Sequence, residues 1–172
     1  MPSREAWAAA YLAQAADDLL AAHAVGTAAP AVMAMLLQMT FEKAAKGILL
    51  LGKNIDVDKA TNSHAAASIL VAQLKREPEL LKIIGHGDQY AYKHVLPLVV
   101  ELERLHPQLV QGDPVREQQL EYPWVDSATN QVHWPARHLT IAQRLADRES
   151  TEGQRLTRFA AALLMHAGML TD

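Results

Sequence analysis

Apolar residues recur at helical spacing along most of this chain, so that each segment has one apolar face and one polar face. Ser3 is placed to cap a first helix that runs to about His23, and Gly26 follows where a helix-ending glycine is favoured. Thr27 is then placed to cap a second helix, which ends at Gly52. Because their connection is short, the pattern predicts an antiparallel pair of long helices.

Shorter helices are predicted to follow this pair. A polar loop over residues 53–62 leads to a third helix, which Ser63 or the asparagine before it caps and which reaches about Lys75. Pro78 then opens a short helix that stops near Gly85, because proline is tolerated in a first turn and glycine favours a helix end.

The next apolar segment carries an internal proline. Asp88 is placed to cap a helix that continues through Arg104, and Pro97 should kink or split it because proline lacks a backbone N–H donor. Helical periodicity resumes in residues 139–146, and a final helix is predicted over about residues 150–170.

Residues 106–137 interrupt the helical pattern with polar and turn-forming residues and two short alternating runs. Tyr122 and Trp124 share one side of the first run, Trp134 belongs to the second, and residues 126–130 supply a turn between them. We expect these three aromatic side chains to pack against the bundle. The predicted fold is all-α, an up-and-down helical bundle of about five helices with a roughly thirty-residue aromatic loop or small β-hairpin insertion.

The bulk properties fit a single domain over residues 1–172, since half of the 172 residues are hydrophobic. A net charge of −3 lacks the basic excess that drives nonspecific binding to nucleic acid. The absence of cysteine excludes disulfides, a thiol nucleophile and thiolate metal ligands. The charged N-terminal segment has neither the uncharged run of a membrane span nor the layout of a signal peptide, so we expect a cytoplasmic protein that does not enter the membrane.

One polar stripe runs along the second helix. Gln38, Glu42 and Lys46 recur every fourth residue and are bordered by large apolar residues such as Met39. A solvated face would carry more charge, so we expect the stripe to be at least partly covered. His64, at the start of the next helix, should lie within reach of Lys46 or Glu42. These four residues form either a structural network or a ligand-binding site.

The same residues carry a resemblance to a known family. The chain resembles the HEPN family (higher eukaryotes and prokaryotes nucleotide-binding), small helical bundles whose second helix typically carries a glutamine, a Glu-Lys pair and a second lysine before a His-led third helix. The matching positions are Gln38, Glu42, Lys43, Lys46 and His64, with Ala15, Asp18, Leu19 and Ala22 matching the family's usual opening. The resemblance implies association with a partner, such as a nucleotidyltransferase in a toxin–antitoxin-like pair.

For catalytic members of the family, the resemblance implies a metal-independent ribonuclease with an arginine and a histidine close together in the last helical part. Histidine would act as acid or base and arginine would stabilise the charge on the phosphate. This chain lacks a pair with that spacing. The weak candidates are Arg158 with His166, and Arg137 with His138 or His133 in the insertion. We therefore expect no catalytic site.

The eight histidines do not show metal-ligand spacing. His133 and His138 are separated by a proline, and the single Glu-x-x-His segment, which begins at Glu103 and ends at His106, lies at a helix end because Pro107 follows it. We therefore expect no metal site and no cofactor. Glycine-rich phosphate loops and the serine-hydrolase motif are also absent from the sequence.

Arginines cluster near the C-terminus. Arg144, Arg148 and Arg155 would share a face of one continuous helix and could receive a phosphate group. Acidic residues are interleaved with them, so a solvated face with salt bridges is the better interpretation.

These observations favour a noncatalytic HEPN-like module that acts by homodimerisation or by pairing with another protein. Apolar residues on two sides of the second helix predict a symmetric dimer through helical faces. A ribonuclease with a displaced Arg/His pair is one alternative. A nucleotide- or small-ligand-binding protein that uses Gln38, Glu42, Lys46 and His64 is another.

Overall fold

The computed structural model describes residues 2–88, 90–113, 115–147 and 150–170 and confirms an all-α fold with a small hairpin. The helices in these ranges are α1 (Arg4–Val25), α2 (Pro30–Leu51), α3 (Val57–Asn62), α4 (Ala66–Arg76), α5 (Pro78–Ile84), α6 (Leu96–Arg104), α7 (Pro135–His138), α8 (Thr140–Ala146) and α9 (Glu152–Met165). The strands are β1 (Trp124–Val125) and β2 (Val132–His133). No helix within the described ranges combines the length and the apolar character that crossing a membrane requires.

α2 is the central helix of the bundle. It packs against α1, α4, α6, α8 and α9, and of its residues, all of them described, Val32 alone is exposed. Gly47 permits the close approach of α1, because a Cβ atom at this position would lie 2.6 Å from Leu12 Cγ. The apolar sides of α2 are thus buried within one chain, and they leave little free surface for the dimer contact that we expected along this helix.

The connection between α1 and α2 differs from the prediction at one residue. Ser3 caps α1 with its hydroxyl, and Gly26 ends α1 with a φ angle of +50°, both as predicted. A 3-10 turn follows at Gly26–Ala28, and α2 begins only at Pro30, without a side-chain cap. Thr27 is therefore not the cap. The fixed φ of Pro30 suits a first helical turn, and Pro30 has no N–H that would need a partner.

The predicted polar loop over residues 53–62 contains α3, which the sequence analysis missed. Asp56 caps this helix by accepting a backbone N–H at 2.7 Å. α4 then begins at Ala66 rather than directly after Ser63, whose hydroxyl accepts the N–H of Ala65. A helix as short as α3 spans fewer than two turns, so no apolar periodicity reveals it.

The helix predicted from Asp88 to Arg104 is shorter than expected. Asp88 accepts the N–H of Tyr90 at 2.8 Å in a turn, and α6 begins at Leu96. Pro97 lies in the first turn of α6, where its missing N–H costs no hydrogen bond. The proline therefore starts a helix, and the predicted kink is wrong.

The insertion is a small antiparallel hairpin, with Trp124 opposite His133. Trp124 is 2% exposed and belongs to the hydrophobic core, as predicted. Tyr122 and Trp134 are 58% and 42% exposed, so the prediction that all three aromatic residues pack on the bundle is wrong for these two. The strand begins only at Trp124, and Tyr122 therefore does not follow the alternation that would have placed both on one side.

The C-terminal arginines do not lie on one continuous helix, because α8 and α9 are separate. Arg144 donates to Glu101 at 3.2 Å and to Glu152 at 3.0 Å. Arg148 lies outside the described residues. The contacts of Arg144 agree with a face stabilised by salt bridges.

Candidate functional site

Glu42 is the centre of a polar cluster inside the bundle. The spacing of four residues places Gln38 and Lys46 on the same face of α2. Gln38 Nε2 donates to Glu42 Oε2 at 3.1 Å, and Lys46 Nζ donates to Glu42 Oε1 at 2.8 Å. All three residues are buried. The polar stripe is thus covered by the bundle, as the sequence predicted.

Two histidines reach Glu42 from other parts of the chain. His64, between α3 and α4, places Nδ1 3.1 Å from Glu42 Oε1, and His106, just after α6, places Nε2 4.0 Å from Glu42 Oε2. The two imidazole rings stack with their centroids 4.1 Å apart. We call Gln38, Glu42, Lys46, His64 and His106 the Glu42 cluster. Its first four members are the predicted ligand-binding candidates, and His106 was not among them.

Hydrogen bonds define where the two rings carry their protons. A carboxylate only accepts, so His64 donates its Nδ1–H to Glu42. The Gln108 N–H donates to Nδ1 of His106 at 3.2 Å, so a neutral His106 carries its proton on Nε2, on the side of Glu42. Burial lowers the pKa of His106, nearby His64 lowers it further, and Glu42 only partly opposes them. His106 is therefore neutral at neutral pH.

Glu42 is ionised at neutral pH despite its burial. Burial raises its pKa, but the hydrogen bond and charge of Lys46, together with the bond from Gln38, outweigh this effect and hold the pKa below its ordinary value. Lys46 Nζ also lies 5.5 Å from the ring centroid of Tyr11. Burial and the charge of Glu42 raise the pKa of Tyr11, so this phenol stays protonated. The cluster contains a carboxylate whose charge is balanced by a lysine.

A second buried carboxylate, Glu103, belongs to the same region. It accepts the Ala67 N–H at 2.7 Å and both the N–H and the hydroxyl of Ser68. A side chain of α6 thus caps the N-terminus of α4. Burial raises the pKa of Glu103, and the hydrogen bonds from Ser68 oppose this effect. Because α4 occupies its oxygens, Glu103 has a structural role.

Three members of the Glu42 cluster offer metal-ligand atoms close together. A carboxylate oxygen of Glu42 and a ring nitrogen of each of His64 and His106 lie within 4.8 Å of one another. Two imidazoles and a carboxylate are a donor set that zinc uses. Ligand spacing within single helices does not reveal this group, because its ligands come from three different segments. The available signal was the Glu-x-x-His segment ending at His106, whose position at the end of α6 directs the histidine toward α2.

The first ribonuclease candidates, Arg158 and His166, are not neighbours. They lie eight positions apart, which corresponds to about 12 Å along a helix axis. Arg158 is exposed, whereas both ring nitrogens of His166 are buried and, within the described ranges, have no hydrogen-bond partner. The ring of His166 meets the ring of His86 edge-on, with centroids 5.4 Å apart. The two candidates therefore do not form a shared phosphate site.

The second pair of ribonuclease candidates, Arg137 and His138, lies in the insertion and contacts other residues of it. The Arg137 guanidinium lies 5.8 Å from the centroid of the Trp134 ring. His138 Nδ1 accepts the Trp134 N–H at 3.1 Å, and its ring stacks on His133 with centroids 4.3 Å apart. Both side chains thus interact with their neighbours in the insertion.

A further ion pair joins α1 to α2 on residues that carry the family resemblance. Lys43 Nζ donates to Asp18 Oδ2 at 2.5 Å, and Gln14 donates to the other oxygen of Asp18 at 3.2 Å. Asp18 is only 6% exposed. The matching residue of the first helix therefore contacts a matching residue of the second.

A shallow apolar groove lies between the start of α2 and the insertion. Its volume is about 420 Å³, and we call it the insertion groove. Three of its side chains are large exposed apolar residues, namely Val32, Tyr122 and Trp134. The others that line it are Ala31, Met35, Leu120, Glu121, Pro135 and Ala136. Clustered exposed apolar side chains are typical of an interaction surface.

No protein-family model, no curated protein and no solved structure matches this chain. Its function is therefore inferred from its own residues and their geometry, together with the resemblance that the sequence carries.

Proposed function

We propose that this protein is a noncatalytic helical module of the HEPN type that works by pairing with a second copy of itself. The observation that carries the proposal is the insertion groove, where Val32, Tyr122 and Trp134 are exposed side by side. Burial of these side chains against a partner would remove apolar surface from water, which is the main driving force of protein association.

The interactions of the resembling residues support the HEPN-type part of the proposal. Glu42 accepts hydrogen bonds from three other members of its cluster, and Asp18 pairs with Lys43. Polar groups that satisfy one another within the monomer favour a structural role over a catalytic one. The separation of Arg158 from His166 also favours a noncatalytic module.

The charge of the insertion groove favours self-pairing. Among the described residues that line the groove, Glu121 alone is charged, so two copies of the groove can face each other across a two-fold axis with little like-charge repulsion. Val32 brings the start of α2 into this surface. The contact therefore uses the start of α2 and the insertion, because Val32 is the one exposed residue of this helix, all of whose residues are described.

Light scattering coupled to size exclusion tests the proposal. The wild-type chain is expected to show about twice its mass of 18.9 kDa. Val32→Glu places a charge in the groove and should give the mass of a monomer. Leu20→Glu is the matched control, because Leu20 is 70% exposed on α1 and lies outside the groove lining; this variant should remain a dimer.

Two outcomes would contradict self-pairing through the groove. One is a monomeric wild-type chain at every concentration measured, and the other is a dimer that Leu20→Glu disrupts and Val32→Glu leaves intact. A monomer that binds a nucleotidyltransferase encoded beside it would replace self-pairing with the other partner class that the resemblance implies. Cleavage of mixed RNA by the purified chain would contradict the noncatalytic role.

A further inference from the structure

We propose that Glu42, His64 and His106 bind one divalent transition-metal ion, with Zn²⁺ as the ion that suits the donor set best. The three ligand atoms already lie within 4.8 Å of one another. Ligands around tetrahedral zinc are about 3.4 Å apart, given bond lengths near 2.0–2.1 Å. Modest rotations of the imidazoles and the carboxylate would close this difference.

The three proposed ligands lie in different structural surroundings. Glu42 belongs to the buried central helix, and Gln38 donates to one of its oxygens, as outer-shell partners of metal ligands commonly do. His64 and His106 lie just outside helices, and their side chains are 25% and 13% exposed. An ion can therefore approach from the histidine side. Three protein ligands leave a fourth position for water.

Ion binding requires both ligating ring nitrogens to give up their protons. His64 Nδ1 would no longer donate to Glu42, and on His106 the proton would move from Nε2 to Nδ1. The second change ends the hydrogen bond from the Gln108 N–H, which is an exposed loop contact.

Lys46 limits the affinity of the site. Its ammonium donates to Glu42 Oε1 at 2.8 Å and already balances the carboxylate charge. A divalent ion would share Glu42 with this charge and would be repelled by it. Lys46→Gln keeps a hydrogen-bond donor without the charge, so this variant should bind the ion about tenfold more tightly.

Calorimetric titration of the untagged, chelator-treated chain with Zn²⁺ tests the site. We expect one ion per chain, and we expect Co²⁺ at the same site to give the visible absorption of a four-coordinate complex. His64→Ala and His106→Ala should each weaken binding by about 100-fold or more, since removal of an outer-shell partner alone costs 10–100-fold. Circular dichroism checks that each variant is folded.

The matched control is His133→Ala. His133 stacks on His138 much as His64 stacks on His106, but within the described ranges no carboxylate completes a three-ligand group there. The control should bind Zn²⁺ like the wild type. Val32→Glu should also bind it normally, so this test does not depend on self-pairing.

The proposal is overturned if the wild-type chain binds no stoichiometric Zn²⁺. It is also overturned if His133→Ala loses binding while the variants of the Glu42 cluster retain it. Should one histidine variant fail to fold, the other variant and Lys46→Gln decide. Unchanged Zn²⁺ affinity in both of these variants would mean that the ion binds outside the Glu42 cluster, which would also overturn the proposal.

Discussion

At the scale of single residues, Glu42 has the largest number of interactions in the polar cluster. It accepts from Gln38, Lys46 and His64, and the i, i+4 spacing on α2 alone provides two of these three donors. An exposed ion pair of this kind contributes little to stability. Breaking a buried pair is strongly destabilising, because the remaining charge stays buried without a partner. The burial of Lys46, which is 4% exposed, makes Glu42 a sensitive position.

Glu42→Ala should lower the free energy of unfolding by about 3–5 kcal/mol, because the buried Lys46 ammonium is left unpaired. Glu42→Gln should cost less, since the amide oxygen can still accept from Lys46. Urea denaturation measures both changes. Glu79→Ala is the control for an exposed pair with Lys82 and should have almost no effect. A Glu42→Ala variant with unchanged stability would contradict the structural role of this pair and leave ligand binding as the one role of the cluster.

At the scale of elements, side chains from distant segments determine where helices begin. No side chain at the N-cap position of α4 caps this helix. Glu103 of α6 instead accepts the backbone N–H groups of Ala67 and Ser68 in its first turn. The two helices are therefore joined by hydrogen bonds as well as by apolar packing. This arrangement places the Glu103 carboxylate where burial raises its pKa. The charge of nearby Glu42 raises the pKa further.

Glu103 should make the stability of the protein depend on pH. Its folded pKa is raised above the ordinary value of 4.5, so its favourable contribution is complete below that value and is lost as the pH rises through the folded pKa. Glu103→Gln removes this titration. The stability of the wild type relative to this variant should therefore fall with rising pH in denaturation experiments. A relative stability that rises over the same range would show that the hydrogen bonds outweigh the burial of the charge.

At the scale of the whole molecule, Trp124 and Leu120 attach the insertion to the bundle, since both side chains belong to the buried core. Trp124 is buried in the core that the helices share, while Tyr122 and Trp134 remain on the surface beside Val32. The insertion thus supplies both an anchor for the fold and exposed side chains for the insertion groove. These two roles predict different effects of the two tryptophans.

Trp124→Ala should destabilise the protein by about 3–5 kcal/mol, as expected for a buried large aromatic residue. Trp134→Ala should change stability by less than about 1 kcal/mol, because its side chain is 42% exposed. Thermal unfolding of the monomeric Val32→Glu background separates these effects from any loss of self-pairing. Equal destabilisation by the two substitutions would mean that Trp134 also anchors the insertion.

Features that local interactions encode were predictable from the sequence. Ser3 and Gly26 identify the ends of α1, because capping involves neighbouring backbone groups. The spacing of Gln38, Glu42 and Lys46 defines one face of α2, because helical geometry relates positions four apart. The alternating runs of the insertion likewise predicted either a hairpin or an ordered loop, and the structure has the hairpin.

Contacts between distant groups became visible only in the folded chain. The contact of His106 with Glu42, the capping of α4 by Glu103 and the exposure of Trp134 all depend on how the helices and the insertion pack. Local sequence cannot specify them. The two contacts join segments that are 30 residues or more apart in the chain, and the exposure of Trp134 depends on which segments cover it. The polar stripe was thus evident from the sequence, whereas the contact of His106 with Glu42 required the packing of α6 beside α2.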